Sequence, residues 1–552
     1  NAVQYFYEPF LEAFDPELRK QLGVWYTPPE IVQYMVARVD TVLREELHIT
    51  DGLADPNVFI LDPCCGTGSF LIEALKHIHR TIKSKGADAL SASDLKQAAL
   101  KRVFGFEILA APFVVAHMQL GLLLQNLGAP LSETPYERAG VYLTNALIGW
   151  DPMDPEKQKA FQAMLTGLPQ LLEEQADASN VKQQVPILVI LGNPPYNAFA
   201  GTATSKEERD SVAVYKEGLI KKWGIKKFNL DDLYVRFFRM AERRIAEQTG
   251  RGVVCMISNF SYLAEPSFVV MRQRFLSEFD CLWIDNMNGD SRETGKQTPD
   301  GKPDPSVFST EYNKSGIRVG TAVALLARKL EHGNKPVVRY REFWGSNKRA
   351  DLLAKVDAAH VGSNWQLLQP APYCRHSLRP STVADNYRSW PLLDDLAGFK
   401  PTLGILENRK EALIDIDRHA LESRMVLYFD PKTSWGSLAT LNTGLTDDAA
   451  RFNAKKTREI VLAAGSYDPR SLRKTLVRPM DYRWCYHSFI RPLWNEPRPD
   501  YTKQCWNGNA FLVTRRKGVV DREGVPFFYT PNVGVQHSMQ TDAYYIPLRL
   551  RN

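Results

Sequence analysis

The stretch VILGNPPYNA, residues 189–198, ends an apolar run in an amide, two prolines and a phenol. Ile187 to Leu191 has the continuous apolar character of a strand buried on both faces, and Gly192 with two prolines must stop it, since proline has no ladder donor. Asn193, Pro194, Pro195 and Tyr196 are therefore expected just past the carboxyl end of a strand, the edge of an open α/β sheet where ligands bind. For this tetrapeptide alone, an Asn-Pro turn whose tyrosine covers core remains open. DPCCGTGSF, residues 62–70, is a second such place. Gly66 and Gly68 permit a sharp turn and close approach of a ligand to backbone, and the helix start that follows offers free N–H groups to a carboxylate. Glu107 closes the next apolar run, VFGFE, where an acid can accept both hydroxyls of a ribose. It lies 39 residues after Gly68, against about 20 in a standard dinucleotide unit, with the polar stretch 81–97 as an insertion that accounts for the excess. GxGxxG is absent, because Phe70 and Leu71 follow Ser69, and a nicotinamide enzyme is disfavoured.

Holding these tips together requires a sheet. VFILD, VFGFE, YLTNAL at 142–147, the run into Asn193, RGVVCMISNF, CLWIDNMNGD and RVGTAVALLARK read as strands. Helical stretches alternate with them, which predicts a mainly parallel, doubly wound α/β sheet. IVQYMVARVDTVLREEL has helical spacing behind Thr27-Pro28, a plausible N-cap and N1 pair. Residues 197–229 and 285–308 are long, polar and aperiodic, the kind of loop that is functional or disordered. At 552 residues the chain should hold about three structural units. The α/β rhythm ends near 333–345, which divides the sequence into residues 1–57 (helical), 58–335 (the sheet domain) and 336–552 (mixed α+β).

Composition excludes several classes. With 44% hydrophobic and 24% charged residues the chain is globular, no apolar run approaches the ~18 residues of a membrane span, and the first residues lack a signal peptide's pattern. Seven cysteines without a CxxC pair predict reduced thiols in a cytoplasmic protein and no zinc or other metal site. Residues 336–552 carry 32 Lys+Arg against 22 Asp+Glu, net +10, leaving −4 for the rest. A polyanion held by the C-terminal part is the physical suggestion. Arg478, Arg483, Arg491 and Arg498, interleaved with Tyr482, Trp484, Tyr486 and Trp494, form its densest basic and aromatic cluster. Lys455, Lys456, Arg515, Arg516 and Lys517 are the better phosphate candidates, with a solvated surface as the alternative.

Asp62, the glycine turn, Glu107 and NPPY, in this order, resemble the S-adenosylmethionine-dependent amino methyltransferases. The resemblance implies that Asp62, Pro63, Gly66, Gly68, Ser69 and Phe70 hold the methionine end of S-adenosyl-L-methionine, that Glu107 holds its ribose, and that Asn145 meets its adenine. GVWYTPPEIV, residues 23–32, is similar to the additional N-terminal cofactor motif of the γ class, which places Tyr26 and Thr27 on the cofactor. NPPY is that family's catalytic motif for adenine-N6 methylation. Asn193 and the Pro194 carbonyl would accept from the amine, with Tyr196 and, by position ahead of a late strand, Phe308 as the walls around a flipped base. Plain core is the alternative for Phe308.

FYEPFLEAFDPELRKQLGVWYTPPEIV, DNMNGDSRETGKQTPDGKPDPSVFST and LVRPMDYRWCYHSFIRPLWNEPRP together resemble the methyltransferase and target-recognition portions of the single-polypeptide, ATP-dependent type ISP restriction-modification enzymes. The resemblance implies double-stranded DNA with an asymmetric site as partner, and nuclease and helicase-like ATPase domains on a longer parent chain, with which the Asn1 start agrees. No GxxxxGK[ST] loop is present. An RNA or protein-glutamine methyltransferase, or a DNA-binding specificity module with an inactive methyltransferase, are the competing expectations.

Overall fold

The computed structural model describes residues 26–86, 91–151, 169–196, 205–226, 228, 230–310, 314, 316–356, 364–381, 385–391, 393–396, 400–449, 452–515, 527–540 and 542–551. They fall into two compact units, 1–381 and 382–552.

The first unit is built on a nine-stranded sheet of order β3-β2-β1-β4-β5-β7-β6-β8-β9. Its strands are β1 (Phe59–Asp62), β2 (Val103–Glu107), β3 (Val141–Leu143), β4 (Ile187–Gly192), β5 (Gly252–Asn259), β6 (Cys281–Asn288), β7 (Thr321–Arg328), β8 (Val337–Glu342) and β9 (Gln366–Leu368). β3, β2, β1, β4 and β5 run parallel, whereas β7 lies antiparallel between β5 and β6. Every residue of β2, β4 and β6 is buried: β4 is an unbroken apolar run, while β2 ends in Glu107 and β6 buries Asp285, Asn286 and Asn288 at its carboxyl half. One face of the sheet is covered by α1 (Pro29–Glu45), α2 (Ser69–Ser84), α3 (Ser91–Lys101) and α4 (Ala110–Asn126). The other is covered by α5 (Pro169–Gln183), α6 (Leu233–Glu242) and α7 (Val269–Glu278). From β1 the chain winds outward through β2 to β3, then returns to β4 on the opposite side, so the order reverses between β1 and β4. That reversal is where an open α/β sheet leaves a crevice beyond its carboxyl ends.

Three expectations change. α1 starts at Pro29, with Pro28 as its N-cap and no side-chain cap bond; Thr27 is not the cap, because its hydroxyl is engaged elsewhere. The long interval between Gly68 and Glu107 contains a second helix, α3, behind α2. The boundary near 335 is displaced by about 46 residues, to 381/382. β8 pairs in parallel with β6 and antiparallel with β9, which makes both strands part of the first sheet. The segment 285–308 is also tied down. Asp290, at 6% exposure, takes the backbone N–H groups of Arg292, Glu293 and Gly320. Asp304, fully buried, takes those of Gly289 and Gly345 and pairs with Lys348 at 2.7 Å.

The second unit holds two four-stranded sheets. One has the order β10-β17-β14-β15, from Thr402–Leu403, Tyr544–Pro547, Phe511–Thr514 and Phe528–Thr530. The other has the order β11-β13-β12-β16, from Ile414–Asp415, Asp481–Tyr486, Leu472–Arg478 and Val533–Gly534. Helices α8 (Arg418–Phe429) and α9 (Ala454–Ala464) share its own core, which gives the mixed α+β architecture expected. With the corrected boundary, residues 382–552 carry 25 Lys+Arg against 19 Asp+Glu, so the whole net charge of +6 lies there. Among the described residues no helix is long and apolar enough to cross a membrane, and no group of His, Cys, Asp or Glu is arranged to hold a metal.

The last residue of β4 shows how closely the two central strands meet. A Cβ on Gly192 would stand 2.7 Å from Asp62 Oδ1 and 3.4 Å from Cys64 Sγ. Gly192→Ala must push the Asp62 carboxyl off its hydrogen bond to the Cys64 N–H. The expected loss of stability is about 1–3 kcal/mol, typical of overpacking. Urea unfolding checks it; an unchanged midpoint would mean that the crevice is looser than described.

Candidate active site at the carboxyl ends of β1 and β4

At the end of β1 the chain turns through residues 62–68. Gly66 and Gly68 take positive φ values of 54° and 88°, a region that costs glycine nothing and other residues strain. The turn closes with Gly68 N–H donating to Cys65 O, and Gln119 Nε2 holds Thr67 O at 3.0 Å. Ser69 is the first residue of α2, and Phe70 behind it is buried in the core. Pro63 is buried as well.

Two carboxylates flank this turn. Glu107, at the end of β2, accepts from Gly66 N–H at 2.9 Å through Oε2, and from Ile108 and Leu109 N–H at 2.9 and 2.8 Å through Oε1. Burial raises its pKa, opposed by those three donors. The bonds fix the carboxylate against the glycine turn, where ribose hydroxyls could donate to its remaining lone pairs. Asp62 is fully buried, accepts from Cys64 N–H at 3.1 Å through Oδ1, and has no partner for Oδ2 among the described residues. Burial pushes its carboxyl up to about 7 against the Cys64 bond, and the Glu107 charge adds to the rise. A buried oxygen without a donor is costly in a finished core and is what a subsite for a cationic or N–H-bearing ligand presents.

Across the crevice, beyond β4, Asn193 is half-buried and Pro194 buried. Asn193 Nδ2 donates to Thr27 Oγ1 at 3.0 Å, and Tyr196 Oη lies 2.6 Å from Asn193 Oδ1 and 3.0 Å from Ile257 O. Thr27 is thus placed on the NPPY motif, 166 positions away in sequence, and Tyr26 beside it is half-buried. Tyr196 is half-buried. Its ring meets Phe308 edge-on, with centroids 6.1 Å apart and planes at 75°. Phe308 is 4% exposed and packs in the core, with this contact to Tyr196 at its edge. Arg349 fixes its backbone, donating to Val307 O at 2.6 Å and to Ser309 O.

The third loop, after β3, carries Asn145. Its Oδ1 accepts from Leu147 N–H at 2.9 Å, a local turn. Lys182, which sequence reasoning missed, organises this loop from α5: its Nζ donates to Thr144 Oγ1 and Asn145 O, both at 2.8 Å, and lies 5.3 Å from the Phe106 ring centroid. Burial pulls the Lys182 pKa down to about 8. Its signal in the sequence was a lysine late in a polar helix, indistinguishable from surface.

In the second unit the arginine cluster is less available than its sequence suggests. Arg483 pairs with Asp481 and Glu411, Arg491 and Arg498 both with Glu496, and Arg478 donates to His537 O. Trp494 and Tyr486 are buried core. Tyr482 is 37% exposed, and Trp484 lies between Lys474 and Arg418, at 4.6 and 4.9 Å from its centroid. Lys455 and Lys456, in the first turn of α9, are exposed. Arg515, which follows the Phe511–Thr514 strand, has a partner of its own, while Arg516 and Lys517 lie outside the described residues.

Residues 2–132 match the N-6 DNA Methylase family. No curated protein matches the chain. Among solved structures it is similar to the DrdV–DNA complex, at 21% identity and a TM-score of 0.60 over 99% of this chain and 51% of that one. It is also similar to the ATP-dependent type ISP restriction-modification enzyme LlaBIII bound to DNA, at 18% identity and 0.63 over 99% and 35%. A nuclease-deletion mutant of the type ISP enzyme LlaGI with a DNA substrate mimic matches at 19% and 0.60 over 95% and 42%. The chain therefore spans about half or less of the length of these proteins, and what it shares with them is the fold.

Proposed function

We propose that this chain is the methyltransferase and target-recognition part of a restriction-modification enzyme, a cytoplasmic module that methylates the N6 amine of an adenine flipped out of double-stranded DNA at an asymmetric site. The observation that carries this reading is the meeting of Asn193, Thr27, Tyr196 and Phe308 with the Asp62–Glu107 turn at one switch point. The likeness over 95–99% of the chain to three DNA-bound structures, two of them type ISP enzymes, supports it.

The donor set fits S-adenosylmethionine. Asp62 Oδ2 is an acceptor for the methionyl ammonium, Glu107 for the ribose hydroxyls, and the left-handed glycines leave backbone open to close approach. When bound, that cofactor supplies an electrophilic methyl group. The chain's own residues must deal with the amine, whose lone pair is delocalised into the adenine ring. Asn193 Oδ1 and the Pro194 carbonyl accept its two hydrogens and draw the nitrogen toward a tetrahedral shape. The prolines fix the carbonyl's direction at little entropic cost. The same acceptors stabilise the positive charge that develops on nitrogen, and the proton leaves afterwards. Tyr196 supplies the face on which an extruded base stacks, and Phe308, edge-on to it, closes the far side of that pocket. In the second unit the net charge of +6 serves the DNA backbone, with Lys455 and Lys456 as exposed phosphate contacts and Arg515, Arg516 and Lys517 as further ones. Arg478, Arg483, Arg491 and Arg498 would meet DNA with the N–H donors that their present partners leave over.

Transfer of labelled methyl from S-adenosylmethionine to unmethylated bacterial DNA, with RNA and protein offered in parallel, tests the reading. Label in DNA is expected. Label in RNA or protein would move the chain to another methyltransferase class, and cofactor binding without any label would indicate an inactive specificity module.

Proton linkage gives a second check. In the free chain the Asp62 carboxyl titrates near 7, and an ammonium partner requires it ionised. Cofactor binding should then release a proton below neutrality, so affinity rises with pH, by up to about tenfold per unit between pH 5.5 and 7, and levels off above. The same raised pKa sets the stability trend: a fully favourable contribution below the ordinary 3.8 is lost as pH climbs to about 7. Calorimetric titration across this range should show the slope in the natural chain and its loss in Asp62→Asn; a slope that survives in the variant would remove Asp62 from the subsite.

A further inference from the structure

The Tyr196 ring offers a base a face to stack on; the geometry gives its hydroxyl a separate task. Tyr196 Oη stands 2.6 Å from Asn193 Oδ1 and 3.0 Å from Ile257 O. A phenol has one hydrogen, and it can go to either oxygen. Thr27 Oγ1 holds the other end of the Asn193 amide at 3.0 Å, which turns the oxygen toward the tyrosine. Asn193 Oδ1 is the atom that must accept from the substrate's amine.

We propose that the Tyr196 hydroxyl is a placeholder for the adenine amine, occupying the Asn193 acceptor while the base is stacked in the duplex and yielding it when the amine enters. This rests on the adenine-N6 reading. No covalent bond changes: the hydroxyl hydrogen moves from Asn193 Oδ1 to Ile257 O, a β5 carbonyl already within bonding distance, and an N–H of the amine takes its place. The ring need not leave. Asn193 thus keeps a donor from this side at each stage, and the motif is not drawn into a wrong rotamer before substrate arrives. Tyr196 acts here as a positioning residue, through Asn193.

The consequence is a specific coupling. In the natural chain the amine's bond to Asn193 comes with exchange of the tyrosine's 2.6 Å bond for its longer 3.0 Å one to Ile257 O, so the amine adds less to affinity than it would alone. In Tyr196→Phe the ring is kept and the amine's bond is added without exchange. Dissociation constants are measured with the full chain, natural and variant, on two duplexes that carry the mapped methylation site with either adenine or purine, which has hydrogen in place of the amine, at the target position. The preference for adenine over purine should grow about fivefold in Tyr196→Phe, the difference between the tyrosine's two hydrogen bonds and less than the worth of a whole one. It should not grow when Asn193→Ala is already present. A preference unchanged within about twofold, or one that grows equally in the Asn193→Ala background, overturns the proposal while leaving the methyltransferase reading intact. If the natural chain methylates no adenine, both fall together.

Discussion

Asn193→Ala should lower methyl transfer by roughly three orders of magnitude, the scale seen when an acceptor or donor aimed at developing charge is removed, while cofactor affinity stays within about tenfold. The separation follows from where the atoms sit. Asn193 is fixed between Thr27 and Tyr196 beyond β4, and the groups offered to the cofactor, Asp62 and Glu107, belong to the ends of β1 and β2. Single-turnover transfer together with calorimetric cofactor binding measures both quantities on one preparation. Activity within tenfold of the natural chain would withdraw Asn193 from the chemistry; a parallel loss of cofactor binding would mean that its role is in holding the crevice together.

Ending the chain at Ser381 should abolish sequence-specific DNA binding, a loss of about a thousandfold or more, and leave cofactor binding unchanged. The first unit retains its complete nine-stranded sheet and both of its cores when cut there. A cut near residue 335 would strip β8 and β9 from the sheet, together with Arg349, which holds the backbone around Phe308. The shorter fragment is therefore expected to unfold, and the two truncations distinguish the observed boundary from the one that composition suggests. All the net positive charge leaves with residues 382–552, so the remaining DNA affinity should also lose most of its salt dependence. Specific binding that persisted in the 1–381 fragment would place target recognition in the sheet domain instead.

How much of this was legible in the sequence depended on whether the signal was local. The β4 end was readable because five consecutive apolar residues and two prolines leave few alternatives. Glu107 was readable because it closes a strand, and its excess distance from the turn resolved into α3. Thr27 was misread as a helix cap: its partner is 166 positions away, and nothing within its own segment distinguishes a capping hydroxyl from one that orients an amide. Lys182 was invisible because only the folding of α5 onto the β3 loop buries it. The boundary was misplaced because β8 reads VVRYRE, with alternate exposure. A strand near a sheet's margin, covered beyond by only the short β9, does not need the continuous apolar run of β2 or β4. The pairing within the arginine cluster was hidden for the opposite reason. Arg483 finds Glu411, 72 residues upstream, and Arg491 and Arg498 share Glu496, pairings that spacing in the chain does not announce.

The most direct test of the central claim is to express the chain in a bacterium free of adenine methylation and to map N6-methyladenine across its DNA at single-nucleotide resolution, with the Asn193→Ala chain alongside. Methylation of one adenine in a single recurring asymmetric sequence, on one strand, is expected from the natural chain, and none from the variant. No N6-methyladenine, or methylation scattered without a common sequence, would contradict that claim.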